Sequence, residues 1–269
     1  MSRSITELPS ALDNPALERA LARDPIAVFC DYDGTLTPIV SRPELAILSI
    51  EMLEILERLA SCCVVGIISG RDLSDVRAMV PTDRVWLAGS HGFDIAGPGG
   101  VQYELPEARA HSRALTGAAD ALDGLVAAVP GAWVERKRFA IAVHFRQVDD
   151  ELVPEVEAAV DRVLAGTAGL RKTGGKRILE LRPDVDWDKG RALWWLLERC
   201  GTGEKRRRPL YLGDDVTDED AFVALVGRGI GIVVERSDRP TDATFRLTDP
   251  DEVRTFLADL TERLEGTKR

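Results

Sequence analysis

Short apolar runs alternate with helix-period stretches along most of this chain, and that alternation sets the narrowest limits on its fold. The runs are Ile26–Cys30, Cys62–Ile68, Val85–Ala88, Leu210–Leu212 and Ile230–Val234. Runs apolar at nearly every position suit strands buried on both faces, as in parallel sheets. Ser49 can cap a helix whose stripe is Met52, Leu53, Ile55, Leu56 and Leu59. Further helices are expected from about Asp72 to Val80, from Trp187 to about Cys200, near Asp218 to Val226 and from about Asp251, with a last short strand at Thr244–Leu247. Strands alternating with helices predict a parallel sheet covered on both faces.

The middle of the chain reads differently. From about Arg109 to Arg182 the order is helix, strand, strand, helix, strand, strand. One helix carries Leu115, Leu122, Leu125 and Val129; the other carries Val153, Val156, Val160, Val163 and Leu164. Paired short strands predict an antiparallel sheet backed by these helices. Pro98-Gly99-Gly100 before the block and Arg182-Pro183-Asp184 after it are expected hinge regions. The expected class is therefore α/β, with a parallel-sheet core at residues 1–108 and 183–269 and an inserted α+β cap at residues 109–182.

Composition narrows the function. Hydrophobic residues make up 45% of 269, which supports a packed core. The balance of 35 Lys+Arg against 45 Asp+Glu gives −10, so neither nucleic acid nor an anionic membrane is an expected partner. The basic run Lys205–Arg208 reads as a solvated loop before a strand. Cys30, Cys62, Cys63 and Cys200 show no CxxC pair or zinc spacing. Such thiols suit a reducing compartment, and a cytoplasmic protein is expected. Met1–Asn14 lacks an apolar stretch of signal-peptide length, and Cys62–Ile68 is too short to span a bilayer.

The sharpest chemical signal is Asp31-Tyr32-Asp33-Gly34-Thr35, directly after an apolar run. Ligands of open α/β sheets bind beyond the carboxyl ends of strands. In extended chain, residues two apart point the same way, so both carboxylates can face one pocket. Their repulsion and burial would raise a pKa and divide the labour. Asp31 can be a nucleophile, and Asp33 the acid that protonates a leaving alcohol and then deprotonates water. The bland alternative is a pair of turn carboxylates.

Three more pieces follow in order. Ser69-Gly70-Arg71 ends the second run, where a small hydroxyl and backbone N–H groups before a helix can cradle phosphate. With Thr35 and Lys189, these residues form the candidate phosphate contacts. Lys189 opens a helix and can offset charge between nucleophile and phosphoryl oxygens; otherwise it is a solvated helix lysine. Gly213-Asp214-Asp215-Val216-Thr217-Asp218 crowds carboxylates at a strand end. Oxygen-only ligands fit Mg²⁺. Asp214 is the expected direct ligand, with the Asp31 carboxylate and the Asp33 carbonyl. Asp215 and Asp218 are expected to act through waters or hydrogen bonds, and Asp218 or Thr217 can also cap the next helix.

In this order the pieces resemble the haloacid dehalogenase superfamily of phosphatases. Asp31–Ile39, Ser69–Arg71, Gly89–Gly92, Val134–Lys137, Glu180–Pro183, Asp188–Gly190 and Gly213–Phe222 resemble trehalose-6-phosphate phosphatases. The resemblance runs from Ile26 to Val234. His144-Phe145-Arg146 stands where that family usually shows His-Tyr-Arg, and Asp94 where a glutamate commonly ends the motif. The resemblance implies a Rossmann-like core, a mobile cap, Mg²⁺ and hydrolysis of trehalose 6-phosphate.

Alternation in the cap strands predicts a polar face carrying Glu135, Lys137, His144, Arg146, Glu180 and Arg182, with alanines between them. Hydroxyl-rich sugars need such donors and acceptors; a wet sheet face with ion pairs is the alternative. With the resemblance, Glu135, Lys137 and Glu180 become the leading sugar contacts, and His91, His144, Arg146 and Arg182 secondary ones. A phosphatase for another glycosyl phosphate, such as sucrose phosphate or a glycosyl-phosphoglycerate, shares the core motifs. A non-catalytic sugar-phosphate sensor is opposed by intact Asp31, Asp33, Lys189 and Asp214. A phosphate-transferring mutase is a lesser alternative.

Overall fold

The computed structural model describes residues 2–40, 42–175, 177–200 and 207–267. Among these, the chain divides into two compact units, Met1–Tyr103 with Trp187–Arg269, and Glu104–Asp186. The strands Asp94–Gly97 and Val101–Glu104 were not foreseen. They are neighbours at one edge of the large sheet, so Pro98–Gly100 is the turn between them and not a link between units.

The first unit is built on an eight-stranded sheet. From one edge its order is Phe245–Leu247, Ile230–Val234, Arg208–Gly213, Ile26–Cys30, Val64–Ile68, Trp86–Gly89, Asp94–Gly97 and Val101–Glu104. The first six run parallel, and Asp94–Gly97 returns antiparallel to Trp86–Gly89. The period-2 pleat of Ile26–Cys30 splits the core in two. Val28 and Cys30 meet Met52, Ile55, Leu56 and Leu59 of the Ile50–Cys62 helix, and Phe256 and Leu257 of the Pro250–Thr267 helix. Ala27 and Phe29 belong to the opposite layer, with Leu193 and Leu196 of the Lys189–Cys200 helix and Phe222 of the Glu219–Leu225 helix. Both faces are covered, which is why the strands carry so few polar residues. At Gly190 a Cβ would lie 2.5 Å from the Asp220 carbonyl oxygen, so only glycine allows these two helices to approach so closely.

Described residues near the start of the chain are built into this unit. Arg3–Ser4 pairs antiparallel with Pro240–Thr241, and Pro15–Leu21 is a helix capped by Asn14. No disulfide joins the described cysteines. No described helix is long and apolar enough to cross a membrane. Lys205 and Arg206 of the basic run lie outside the described residues, and Arg208 opens a core strand with its guanidinium 3.0 Å from Asp24.

The second unit is a four-stranded antiparallel sheet in the order Trp133–Arg136, Ile141–His144, Ile178–Pro183, Leu170–Gly175. Helices Ser112–Val126 and Val153–Ala165 cover one face, where Leu115, Leu122, Val156 and Val160 pack on Ile141, Val143 and Leu181. Arg136 reaches Asp120 and Asp123, and Lys172 reaches Asp161, on those helices.

Candidate active site

Apart from Lys189, which opens the Lys189–Cys200 helix, the pieces of the core site leave the carboxyl ends of parallel strands. Asp31 follows Ile26–Cys30, Ser69 follows Val64–Ile68, Ser90 and His91 follow Trp86–Gly89, and Asp214 follows Arg208–Gly213. The Asp31 N–H donates to the Leu212 carbonyl at 2.8 Å, which ties the first and fourth of these loops together.

Asp31 is buried. Lys189 Nζ lies 3.0 Å from Asp31 Oδ1 and 2.7 Å from Asp218 Oδ1, so one ammonium joins two carboxylates. Tyr211 Oη donates to the same Asp218 oxygen at 2.6 Å, and the Asp215 N–H donates to Asp218 Oδ2 at 2.9 Å. Both oxygens of Asp218 are thus engaged by protein donors. Burial pushes the Asp31 carboxyl up to about 7 against the pull of Lys189, while Asp218 and, least of all, Asp33 push it further. The expected repulsion between Asp31 and Asp33 is therefore a minor influence beside desolvation. Burial would lower Lys189, but Asp218 and Asp31 more than offset it and hold the ammonium above its ordinary value.

Asp214 completes a carboxylate cluster. Asp31, Asp214 and Asp218 each bring one oxygen within 4.8 Å of the others. Burial first, then Asp31 and Asp218, push Asp214 up to about 9. Thr35 Oγ1 donates to Asp214 Oδ1 at 3.3 Å. Gly34 has φ +81°, and a Cβ there would lie 2.1 Å from Asp214 Oδ2, so this turn needs glycine for both backbone and space. Asp215 is exposed and stands outside the cluster as the cap of the Val216–Asp218 turn.

Asp33 is held elsewhere. Arg71 donates from Nε to Asp33 Oδ2 at 2.6 Å and from Nη2 to Oδ1 at 2.5 Å, a fork-to-fork pair. Ser69 Oγ accepts the Arg71 N–H at 3.2 Å. The Ser90 N–H donates to the Arg71 carbonyl at 2.7 Å and the His91 N–H to the Ser69 carbonyl at 2.8 Å. Ser90 and His91 take φ of 50° and 58° to do so. The His91 ring then sits against Gly70, where a Cβ would be 3.0 Å from Cε1. His91 thus belongs with the candidate phosphate loop of the core unit, not with the polar sheet face of the second unit.

On that second face, register places Glu135, Ala142, Glu180 and Thr173 in one row, and Trp133, His144, Ile178 and Gly175 in the next. His144 Nε2 donates to Glu135 Oε2 at 2.7 Å, and Lys137 Nζ to Glu180 Oε1 at 2.7 Å. The first of these bonds is the main reason the Glu135 carboxyl lies below its ordinary range. Arg182 shares the face and pairs in register with Arg171. Arg146 does not share the strand, because the strand ends at His144 and Arg146 is exposed in the following turn. Sequence reasoning missed Trp133, stacked on His144 with centroids 3.9 Å apart, and Tyr211 behind Asp218. A tyrosine inside the Leu210–Leu212 run was the one available signal for the latter.

The trehalose-phosphatase family model matches residues 29–251. The chain belongs to the trehalose-phosphatase family. It is 42% identical over 266 residues to the trehalose-phosphate phosphatase of Mycobacterium bovis (strain BCG / Pasteur 1173P2), covering 97% of this chain and 68% of that protein. It is 48% identical over 264 residues to an uncharacterized glycosyl hydrolase of Mycobacterium tuberculosis (strain CDC 1551 / Oshkosh), covering 96% of this chain but 20% of that protein. The chain thus spans about a fifth of the length of that relative. Its structure is similar to the C-terminal domain of the C. albicans trehalose-6-phosphate phosphatase, with TM-score 0.82, 27% identity, and coverage of 95% of this chain and 98% of that one.

Proposed function

We propose that this chain hydrolyses trehalose 6-phosphate to trehalose and phosphate through an aspartyl-phosphate, with Mg²⁺ as cofactor. The observation that carries the reading is the Lys189 ammonium set between Asp31 and Asp218 at the strand ends of a family member. One Asp31 oxygen is engaged by Lys189, and the other is the candidate nucleophile. It forms a bond to phosphorus as the bond from phosphorus to the sugar oxygen breaks. The leaving alkoxide takes a proton from Asp33. Asp33 then accepts a proton from water, whose oxygen bonds to phosphorus as the aspartyl bond breaks. Phosphate leaves and Asp31 is restored. Lys189 holds the nucleophile's orientation, and the Ser69–Arg71 loop supplies donors for the phosphoryl oxygens.

The donor set fits Mg²⁺. Its oxygens are hard, clustered within 4.8 Å and buried enough to hold Asp214 up at about 9 when no cation offsets them. Asp31, Asp214 and the Asp33 carbonyl would hold the ion, with Asp218 behind them and Asp215 contributing only through its N–H to Asp218. When bound, it would neutralise charge on the phosphoryl oxygens and keep both ligand carboxylates ionised. Glu135, Lys137 and Glu180 are assigned to the sugar hydroxyls, since their paired polar groups lie on the sheet face that the two helices do not cover, beside the small Ala142.

The test is phosphate release from a panel of trehalose 6-phosphate, sucrose 6-phosphate and a glucosyl-phosphoglycerate with Mg²⁺. Preference for trehalose 6-phosphate in kcat/KM supports the reading. Preference for another member reassigns the sugar, and no release from any overturns the enzyme.

A further inference from the structure

Arg239 lies outside every motif discussed above, in the loop after the Ile230–Val234 strand. Its side chain is largely buried. Nη2 donates to the Asp214 carbonyl at 3.0 Å and to the Asp215 carbonyl at 3.3 Å. Nη1 pairs with the Glu219 carboxylate, at the start of the next helix. One guanidinium therefore spans the main chain of the carboxylate loop and the helix that follows it.

The segment that presents Arg239 is itself pinned. Ile5 N–H donates to the Arg239 carbonyl at 3.1 Å, and Arg3–Ser4 pairs with Pro240–Thr241. Asp238 accepts from the Thr6 N–H at 3.2 Å and Thr6 Oγ1 at 3.1 Å. The second Glu219 oxygen accepts the Asp242 N–H at 2.9 Å. Ile5 and Leu8 are buried in the same apolar cluster as Ala243. The fork is thus anchored from both sides before it reaches Asp214.

The position of Asp214 tolerates little movement. On its side-chain flank it is pressed against Gly34 and bonded by Thr35. An octahedral Mg²⁺ site demands ligand oxygens at close to 2.0–2.1 Å. A shift of a few tenths of an ångström in the Asp214 backbone would move its carboxylate out of range of a cation shared with Asp31.

Resting on the reading of Asp214 as a metal ligand, we infer that Arg239 is a positioning residue for that loop. It fixes the main chain of Asp214 and Asp215, and so sets the reach of the Asp214 carboxylate. A planar fork can serve two carbonyls and a carboxylate together; a lysine ammonium in the same place lacks that geometry.

The experiment compares the full chain as wild type, Asp214→Asn, Arg239→Ala and Arg239→Lys. Mn²⁺ binding is followed by electron paramagnetic resonance of the free ion, without substrate. Thermal melting in EDTA and the KM for trehalose 6-phosphate at saturating Mg²⁺ are measured alongside. Arg239→Ala is expected to weaken Mn²⁺ by about tenfold or more, as loss of an outer partner of a metal ligand does. Arg239→Lys is expected to stay with Arg239→Ala, and KM to remain at the wild-type value. If Arg239→Ala does not fold, Arg239→Lys carries the same readout with the charge and stem retained. Wild-type Mn²⁺ affinity in the folded Arg239 variants, with affinity lost in Asp214→Asn, overturns the inference and leaves the metal reading standing. Full rescue by lysine overturns it too, since charge alone would then suffice. No Mn²⁺ binding by the wild type removes the metal reading, and this inference with it.

Discussion

Arg71 and Asp33 are joined by two parallel hydrogen bonds, at 2.6 and 2.5 Å, between the loops that follow the Ile26–Cys30 and Val64–Ile68 strands. Asp33 is the residue assigned to proton transfer, and its two oxygens are both engaged by the guanidinium. To protonate a leaving alkoxide it must exchange that partner for a proton. The exchange matters for a sugar alkoxide, which leaves poorly, and much less for an aryl oxide. Asp33→Asn is therefore expected to lose about 10²–10⁴-fold on trehalose 6-phosphate, the usual scale of general acid–base catalysis. On p-nitrophenyl phosphate it is expected to release one equivalent of nitrophenol in a burst and then stall, since water is no longer activated. Stopped-flow absorbance reads the burst. Steady turnover at the wild-type rate on both substrates would remove Asp33 from proton transfer.

Asp31 and Asp214 are raised to about 7 and about 9, burial being the largest cause for each. Their folded pKa values exceed the ordinary carboxylate value near 4. The folded state therefore holds more protons than the unfolded state between those limits. Stability falls as pH rises through that window. Lys189, also raised, keeps its proton across the same range. Metal-free protein is expected to melt at lower temperature at pH 8.5 than at pH 6, by calorimetry at constant ionic strength. Mg²⁺ is expected to raise Tm more at pH 8.5, because it binds the deprotonated carboxylates. In Asp214→Asn both trends are expected to flatten. An unchanged slope in that variant would show that other groups set the pH dependence.

Much of this arrangement was legible in the sequence because burial on both sheet faces leaves long apolar runs, and the motifs sit at their ends. The Ile26–Cys30 strand and the turn at Asp31–Thr35 need no tertiary information. Asp94–Gly97 and Val101–Glu104 were missed because each is only four residues long, the first buried but opened by Asp94 and closed by Gly97, the second exposed in its first half, and neither keeps a clear alternation. Arg146 was placed on the polar face by extending a period-2 pattern past His144, where the chain turns through Phe145–Val148 instead. Arg239 was invisible because it reaches the carboxylate loop through backbone carbonyls 24 and 25 residues away, and a carbonyl leaves no residue-type signal. The dominance of burial over repulsion at Asp31 likewise depends on the covering layers, which no local spacing encodes.

Lys189 is buried with Asp31 and Asp218 on either side of its ammonium. Lys189→Met keeps much of the stem and removes the charge. It leaves two buried carboxylates without their shared cation, a change that costs about 3–5 kcal/mol when one partner of a buried pair is deleted. Urea denaturation in EDTA measures it, with the m-value checked for a constant transition. Phosphate release is expected to vanish as well. A loss of stability under about 1 kcal/mol, within the range of exposed pairs, would mean that the carboxylates find other compensation.

Variants on the two units separate the chemistry proposed for the core unit from the sugar recognition proposed for the second. Lys137 and Glu180 are paired at 2.7 Å, and Glu135 is paired with His144 at the same distance, so each assigned residue has a partner without substrate. A sugar hydroxyl must share or replace those partners, and loss of a charged hydrogen-bond group costs about 1.5–3 kcal/mol, or roughly ten- to a hundred-fold. Glu135→Ala, Lys137→Ala and Glu180→Ala should each lose activity on that scale with trehalose 6-phosphate. The same variants should keep most of their activity on p-nitrophenyl phosphate, which has no sugar to read. Arg146→Ala, exposed beyond the strand end, is expected to change neither. The measurement is kcat/KM on both substrates for the wild type and all four variants, with circular dichroism to check folding. Parallel losses on both substrates would assign Glu135, Lys137 and Glu180 to the fold. No loss on either would return this face to an ordinary solvated sheet whose charges pair only with one another.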